Sequence, residues 1–253
     1  MRIAGQTALV TGGGSGLGAA TARALAERDA RVTVLDLNSE KGELLARDIG
    51  GIFVRCDVSD PQSATEAFAR SREGHGAPTI LVNCAGIGTA ARVVGRDGPM
   101  SLEAFERVVR VNLIGTFNMI RLATAEMSLA EPQSGGSRGV IVSTASVAAF
   151  EGQIGQAAYA ASKGGIAALT LPVARELARF GIRVLTIAPG LFNTPLLAEL
   201  PEETKAAIAS AIPFPARLGE PDEFAALVIA MIENDYLNGE TVRLDGGVRL
   251  QPK

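Results

Sequence analysis

Tyr159 and Lys163 stand four residues apart in the stretch SVAAFEGQIGQAAYAASKGG (146–165), among alanines, glycines and serines. The chain has only two tyrosines. On a helix, residues four apart lie one above the other on a single face, so this phenol and this ammonium reach the same small object. A free phenol, with a pKa of about 10, is a poor acceptor of an alcohol proton at neutral pH, and a neighbouring cation moves it toward the working range. Ahead of the pair, Ser143, Thr144 and Ser146 each carry a hydroxyl able to polarise a substrate oxygen where charge develops.

A frame for such a pair is written along the whole chain. Short β-branched runs (TALVT, RVTVLD, IFVRCDV, TILVNCAG, GVIVSTAS, IRVLTIAPG, ETVRLDGG) alternate with segments whose apolar residues recur at three and four spacing. Strands that read as nearly continuous apolar runs are covered on both faces, as in a parallel sheet between helices. The expected fold is α/β: one doubly wound domain over 1–253, with a parallel sheet of about seven strands. Ligands of such sheets sit at the carboxyl ends of the strands. The Gly/Ser/Gln-rich EPQSGGSRG (131–139) reads as a connecting loop within that domain.

After the first strand, TGGGSGLG (11–18) runs straight into a helix pattern. Gly12, Gly16 and Gly18 permit a tight turn and close backbone approach, and with Ser15 and Leu17 they open a helix whose N-terminus favours a pyrophosphate. Asp36 closes the second strand, the position at which an acid holds the adenosine ribose hydroxyls and repels the extra phosphate of NADP. NAD is therefore the expected cofactor. Arg31 precedes that strand and is expected to point away. Asp57, followed by Val58, can accept from the adenine amine or serve as a cap or turn before Pro61. Asn83, Ala85 and Gly86 of NCAG end the fourth strand, where a small turn can lie under a cofactor. Asn112 falls inside a long helix pattern, although asparagine is a mediocre helix former; bonding across helices is its simplest use.

Composition removes other classes. A hydrophobic content of 47% with 20% charged residues is that of a compact globular protein, and no apolar run reaches the roughly 18 residues that span a bilayer. A net charge of −3 without a basic block argues against nucleic acid as a partner. The lone histidine, His75, lies in the turn-like REGHGAP and leaves no material for a His-based metal site or a Ser-His-Asp triad. Cys56 and Cys84 sit beside apolar runs and are expected reduced. With the first strand beginning at Thr7, a cytoplasmic location is expected.

Taken together, TGGGSGLG, NCAG, VNLIGTF, STAS, YAASK and APG, in this order and over almost the whole chain, resemble the short-chain dehydrogenase/reductase family. The ordered set is far more specific than any one of its members. The resemblance implies Tyr159 as general acid/base and Lys163 as the cation beside it, also binding the nicotinamide ribose. It selects Ser146 over its two neighbours, and makes Asn112 the residue that bends its helix and holds a water linking Lys163 to solvent. Pro189 and Gly190 then open a lid at about 191–215, and Thr194 hydrogen-bonds the nicotinamide carboxamide, unless it is only a turn residue before Pro195. Members of the family are commonly tetramers, so a homotetramer is expected.

Within the family, the segments IAPGLFNTPLL, PFPARLGEP and LNGETVRLDGG resemble the type-2 3-hydroxyacyl-CoA dehydrogenases, and Asn193 departs from the glycine their pattern carries. That resemblance implies reversible oxidation of a 3-hydroxyacyl-CoA, with Gln153 and Gln156 available to a thioester carbonyl. Arg92, Arg96 and Lys205 are read as solvated surface charge; the alternative is contact with coenzyme A phosphates. The apolar residues of the lid either face an acyl chain or steroid, or seat the lid on the body. The rival readings are a hydroxysteroid or other secondary-alcohol dehydrogenase and a non-catalytic NAD-binding sensor. An acyl-carrier-protein reductase would want NADPH, which Asp36 opposes.

Overall fold

The computed structural model describes residues 1–96, 98–133, 135–194, 203 and 209–252. Its frame is a seven-stranded sheet in which every neighbouring pair is parallel. The strands are β1 (Thr7–Thr11), β2 (Arg31–Asp36), β3 (Ile52–Arg55), β4 (Ile80–Asn83), β5 (Gly139–Thr144), β6 (Ile182–Pro189) and β7 (Thr241–Leu244), in spatial order β3-β2-β1-β4-β5-β6-β7. Strands β1, β4, β5 and β6 are buried at every residue, which is why they read as unbroken apolar runs.

Between these strands run the helices α1 (Gly16–Ala26), α2 (Ser39–Asp48), α3 (Pro61–His75), α4 (Leu102–Val109), α5 (Gly115–Met127), α6 (Ala157–Leu177) and α7 (Pro221–Glu233). One face of the sheet buries Ala22, Leu25, Leu45, Phe224 and Val228 from α1, α2 and α7. The other buries Phe68, Met119, Ala123 and Leu177 from α3, α5 and α6. Helix starts are fixed locally. Asn38 accepts from Lys41 N and caps α2, Asp60 accepts from Gln62 N and Ser63 N ahead of Pro61, and Glu220 and Glu223 form a reciprocal box at α7. β1 has β2 on one side and β4 on the other, so the order reverses there and a crevice opens above its carboxyl end.

Three local features depart from the sequence expectation or add to it. The stretch around His75 is not a turn: α3 continues to His75, and the chain stops only at Gly76, whose φ of 84° a glycine accepts without cost. The long pattern after Ser101 is broken by a π-helical turn, Arg110–Ile114, between α4 and α5. A two-residue antiparallel hairpin, Val94–Gly95 with Gly98–Pro99, stands outside the main sheet. The expected lid at 191–215 lies largely outside the described residues, as does Lys205.

Phe224 is fully buried and meets Phe192, at the entrance of the lid segment, edge-on with ring centroids 6.4 Å apart. Phe224→Ala should lower the unfolding free energy by about 3–5 kcal/mol in urea denaturation. A loss below about 1 kcal/mol would show that the neighbouring side chains collapse into the space.

Candidate active site

Two cavities open along the carboxyl edge of the sheet and share Leu17, Cys84, Gly86, Ile87 and Thr194, so they form one cleft. The larger, of about 630 Å³, is lined by the glycine turn, Asp36, Asp57 and Val58. The turn is shaped by close approach. Gly12 has a φ of 60°, and a Cβ there would stand 2.8 Å from the Ala85 backbone; a Cβ on Gly18 would collide with the Gly12 carbonyl. No side chain caps α1 at Ser15, so the first-turn N–H groups face the cleft as ready anion donors. Asp36 receives Gly14 N at one oxygen (2.9 Å) and Asn38 N at the other (2.9 Å), which aims the carboxylate while leaving each oxygen further acceptor capacity. The cradle fits a dinucleotide: backbone donors for a pyrophosphate and an oriented acid for a ribose diol.

The second cavity, of about 410 Å³, is lined by Ser146, Tyr159 and Lys163, with Gln153 and Gln156 beside them. Tyr159 and Lys163 share a face of α6, and the ammonium lies 5.8 Å from the phenol ring centre. Lys163 is buried and donates to the Thr144 carbonyl at 2.7 Å. The position a Cβ would take on Gly86 is 3.5 Å from Lys163 Nζ and 3.2 Å from Asn112 Oδ1, so only glycine keeps the space between them clear. Asn112 is fully buried inside the π-helical turn, receives Ile87 N at 2.8 Å, and donates to Ile87 O at 2.9 Å and Ser162 Oγ at 3.0 Å. Ser146 Oγ accepts from Ala148 N at 3.1 Å and lines the same cavity as Tyr159. A phenol, a hydroxyl and an ammonium on one wall can exchange a proton with a substrate oxygen and stabilise charge on it.

A family model described as short chain dehydrogenase matches residues 6–205. The chain belongs to the short-chain dehydrogenase family. It is 53% identical to 3-hydroxyacyl-CoA dehydrogenase type-2 of Bos taurus, over 99% of this chain and 97% of that protein. To the protein of the same name in Drosophila melanogaster it is 50% identical, over 99% of this chain and 100% of the other. The crystal structure of 3-hydroxyacyl-CoA dehydrogenase type-2 from Mycobacterium avium matches with a TM-score of 0.95 and 44% identity, covering 98% of each chain. This short-chain dehydrogenase is accordingly an oxidoreductase, and its family implies a nicotinamide cofactor.

Most residues singled out in the sequence line this dehydrogenase's cleft, including Gly12, Ser15, Gly16, Leu17, Gly18, Asp36, Asp57, Val58, Ala85, Gly86, Pro189 and Thr194. Asn83 does not: its side chain is buried and donates to Ser143 Oγ at 3.3 Å on β5. That contact also turns Ser143 away, while the Thr144 hydroxyl is directed to Cys84 Sγ, leaving Ser146 as the hydroxyl beside the phenol. One Asp57 oxygen closes a turn onto Ser59 N and Oγ (2.9 and 2.8 Å). Arg31 donates to Gly5 O at the amino end of the sheet, and Arg92 and Arg96 are exposed outside the cavity lining. Both cysteines are free thiols.

Two positioning residues, Thr11 and Asn118, escaped the sequence reading, and Thr144 was read there only for its hydroxyl. Thr11 Oγ1 accepts from both Cys84 N and Ala85 N at 3.1 Å, binding the end of β4 to β1. Asn118 donates to Val58 O at 2.8 Å, and Thr144 supplies its carbonyl to Lys163. Only Asn118 left a signal, as a buried polar residue in a helix pattern. No group of three or more His, Cys, Asp or Glu among the described residues is placed to hold a metal ion.

The charge balance also differs from expectation. Burial pushes Tyr159 up from the ordinary phenol value, and the Ser146 hydroxyl only partly opposes it. The Lys163 ammonium, 5.8 Å from the ring centre and donating to Thr144 O, does not outweigh that burial. Burial pushes Lys163 itself down to about 8, with Cys84 weakly opposing. Below pH 8 the folded protein carries the full cost of a buried cation. Between about 8 and the ordinary 10.5 the folded lysine has shed the proton that the unfolded chain still holds, so stability rises with pH in that window. Urea denaturation of Lys163→Met beside the native protein should therefore give a difference that moves toward the native protein by about 2–3 kcal/mol between pH 7 and 10. A difference flat in pH would mean that the lysine is not charged at neutral pH or is hydrated.

Proposed function

We propose that this short-chain dehydrogenase interconverts a 3-hydroxyacyl-CoA and its 3-oxoacyl-CoA with NAD as cofactor. The observation that carries this reading is the single cavity joining Ser146, Tyr159 and Lys163 to Gln153 and Gln156, continuous with the dinucleotide cleft. The likeness to 3-hydroxyacyl-CoA dehydrogenases of type 2 along nearly the whole chain supports it. Bound NAD supplies the acceptor or donor of the hydride. The glycine turn and the α1 N-terminus hold the pyrophosphate, Asp36 takes the adenosine ribose hydroxyls, and the Asp36 carboxylate excludes a phosphate at that ribose. The Asp57–Val58 segment lies against the adenine, and Thr194, common to both cavities, meets the carboxamide.

Tyr159 takes the 3-hydroxyl proton in the oxidation and returns it in the reduction. Ser146 donates to the same oxygen and steadies the charge developing there. The upward push of burial on Tyr159 favours the neutral phenol, the form needed to protonate a ketone; the cations of Lys163 and of oxidised nicotinamide favour phenolate for the reverse direction. Lys163 is held by Thr144 at the floor of the cavity, and Asn112 fixes the Ile87 backbone above it. Each glutamine amide nitrogen carries a second N–H beyond the contacts to Gln251 O and Gln153 Oε1, available to a thioester carbonyl.

A homotetramer belongs to the same proposal. Leu102, Ile114 and Phe117 on α4, its π turn and α5, and Leu171 on α6, are exposed apolar side chains on the helices expected to meet neighbouring subunits. A cytoplasmic site of action is proposed with it; no helix among the described residues is long and apolar enough to cross a membrane. Light scattering should give four times the chain mass, and a stable monomer would count against the assembly.

The deciding assay follows NADH with a short 3-hydroxyacyl-CoA, beside a hydroxysteroid and with NADP in parallel. Thioester turnover with NAD is expected, falling by about 10²–10⁴ in Tyr159→Phe and about 10²–10³ in Ser146→Ala. Asp36→Ala should narrow the preference for NAD over NADP. Turnover of the steroid alone would discard the thioester and retain the proton chemistry.

A further inference from the structure

One charged cluster of the protein is absorbed by none of the roles above. After β7 the chain turns at Asp245, Gly246 and Gly247, with Gly247 N donating to Asp245 Oδ1 at 3.0 Å, and runs back toward the segment between Ser146 and Tyr159. There Glu151 meets it. Arg243 donates Nη1 to Glu151 Oε1 at 2.8 Å and Nη2 to Oε2 at 3.2 Å, and its Nε to Asp245 Oδ2 at 2.7 Å. Arg249 joins Glu151 (3.3 Å) to Asp245 (3.2 Å) from the solvent side. Leu250 N donates to Glu151 Oε2 at 3.0 Å. The pairing holds Glu151 below the usual carboxylate range. A fork-on-carboxylate pair with a second guanidinium on the same acceptor is a directional fastening, unlike a lone surface pair.

What it fastens reaches the cavity. Leu250 lines the same cavity as Ser146, Tyr159 and the two glutamines. Gln153 Nε2 donates to Gln251 O at 2.9 Å and Ile154 N to Pro252 O at 3.0 Å, so the tail also lies along the glutamine segment. We infer that Glu151 is a positioning residue: with Arg243 it clasps the C-terminal tail onto the 151–156 segment, so that Leu250 and the glutamines form one fixed wall of the substrate cavity. This rests on the acyl-CoA reading for the identity of the substrate, and on geometry alone for the clasp. Its effect falls on how the acyl part is seated, since none of the clasp residues touches the glycine turn, Asp36 or Lys163.

The test uses Glu151→Gln and a chain ended at Arg249. Both should raise KM for a short 3-oxoacyl-CoA by roughly 5- to 20-fold, with kcat within about twofold and the NADH dissociation constant unmoved. Leu250→Ala should raise KM similarly, and its combination with Glu151→Gln should cost less than the product of the single effects. Carboxypeptidase should release the tail residues faster from Glu151→Gln than from the native enzyme. Unchanged tail release would overturn the clasp, whatever the substrate. Unchanged KM with a freed tail would overturn the wall, as would a joint fall in kcat and NADH affinity, the signature of general loosening. Silence of the native enzyme on all acyl-CoA substrates would sink the substrate reading, leaving tail release and NADH binding to decide the clasp.

Discussion

A lysine ammonium buried at the floor of the cleft, donating at 2.7 Å to the carbonyl of Thr144, is the constraint around which the site is arranged. Taking a cation out of water is costly, and burial pulls Lys163 down to about 8 in consequence. The surroundings are correspondingly spare. Gly86 leaves room above the ammonium, Thr144 offers a carbonyl at the end of β5, and Asn112 spends its amide on Ile87 and Ser162. The unusual π turn at Arg110–Ile114 is what brings Asn112 inward, a local cost of the kind that structures retain where chemistry depends on it.

The dinucleotide half depends on a different constraint, backbone against backbone. The turn after β1 and the turn after β4 approach so closely that a Cβ on Gly12 would enter the Ala85 backbone, and Thr11 ties the same two turns together by accepting from Cys84 N and Ala85 N. The strand order reverses at this point, so the two turns diverge above the sheet and leave the crevice between them. The two halves of the site are thus joined at β4: Cys84, Gly86 and Ile87 line both cavities, and displacing that turn would move the cradle and the space over Lys163 together.

The parts legible in the sequence were those set by local pattern. Unbroken apolar runs gave the seven parallel strands, the glycine turn announced the helix start behind it, and four-residue spacing put Tyr159 and Lys163 on one face of α6. Contacts between distant segments left little trace. The clasp joins Glu151 to Arg243, Arg249 and Leu250, about a hundred residues away along the chain, and charged residues near a C-terminus read like any solvated surface. His75 misled because a glycine on each side suggested a turn; of the two only Gly76 takes a positive φ, while Gly74 remains helical beside Ile52.

The direction of the Tyr159 shift follows from the same distinction. Sequence spacing places a cation near the phenol, which argues for a lowered pKa, whereas the fold decides how much water each group loses and where the ammonium points. Burial raises the phenol above its ordinary value and lowers the lysine to about 8, so the two values move apart and the phenol is held in its neutral form. A phenol held neutral by burial gives up its proton more readily when a positive charge enters the cleft, and keeps it when that charge leaves. A cofactor that differs by a positive charge between its oxidised and reduced forms makes that change at each turnover. Reversibility of proton transfer then rests on burial within the folded chain as much as on the identity of Tyr159 and Lys163.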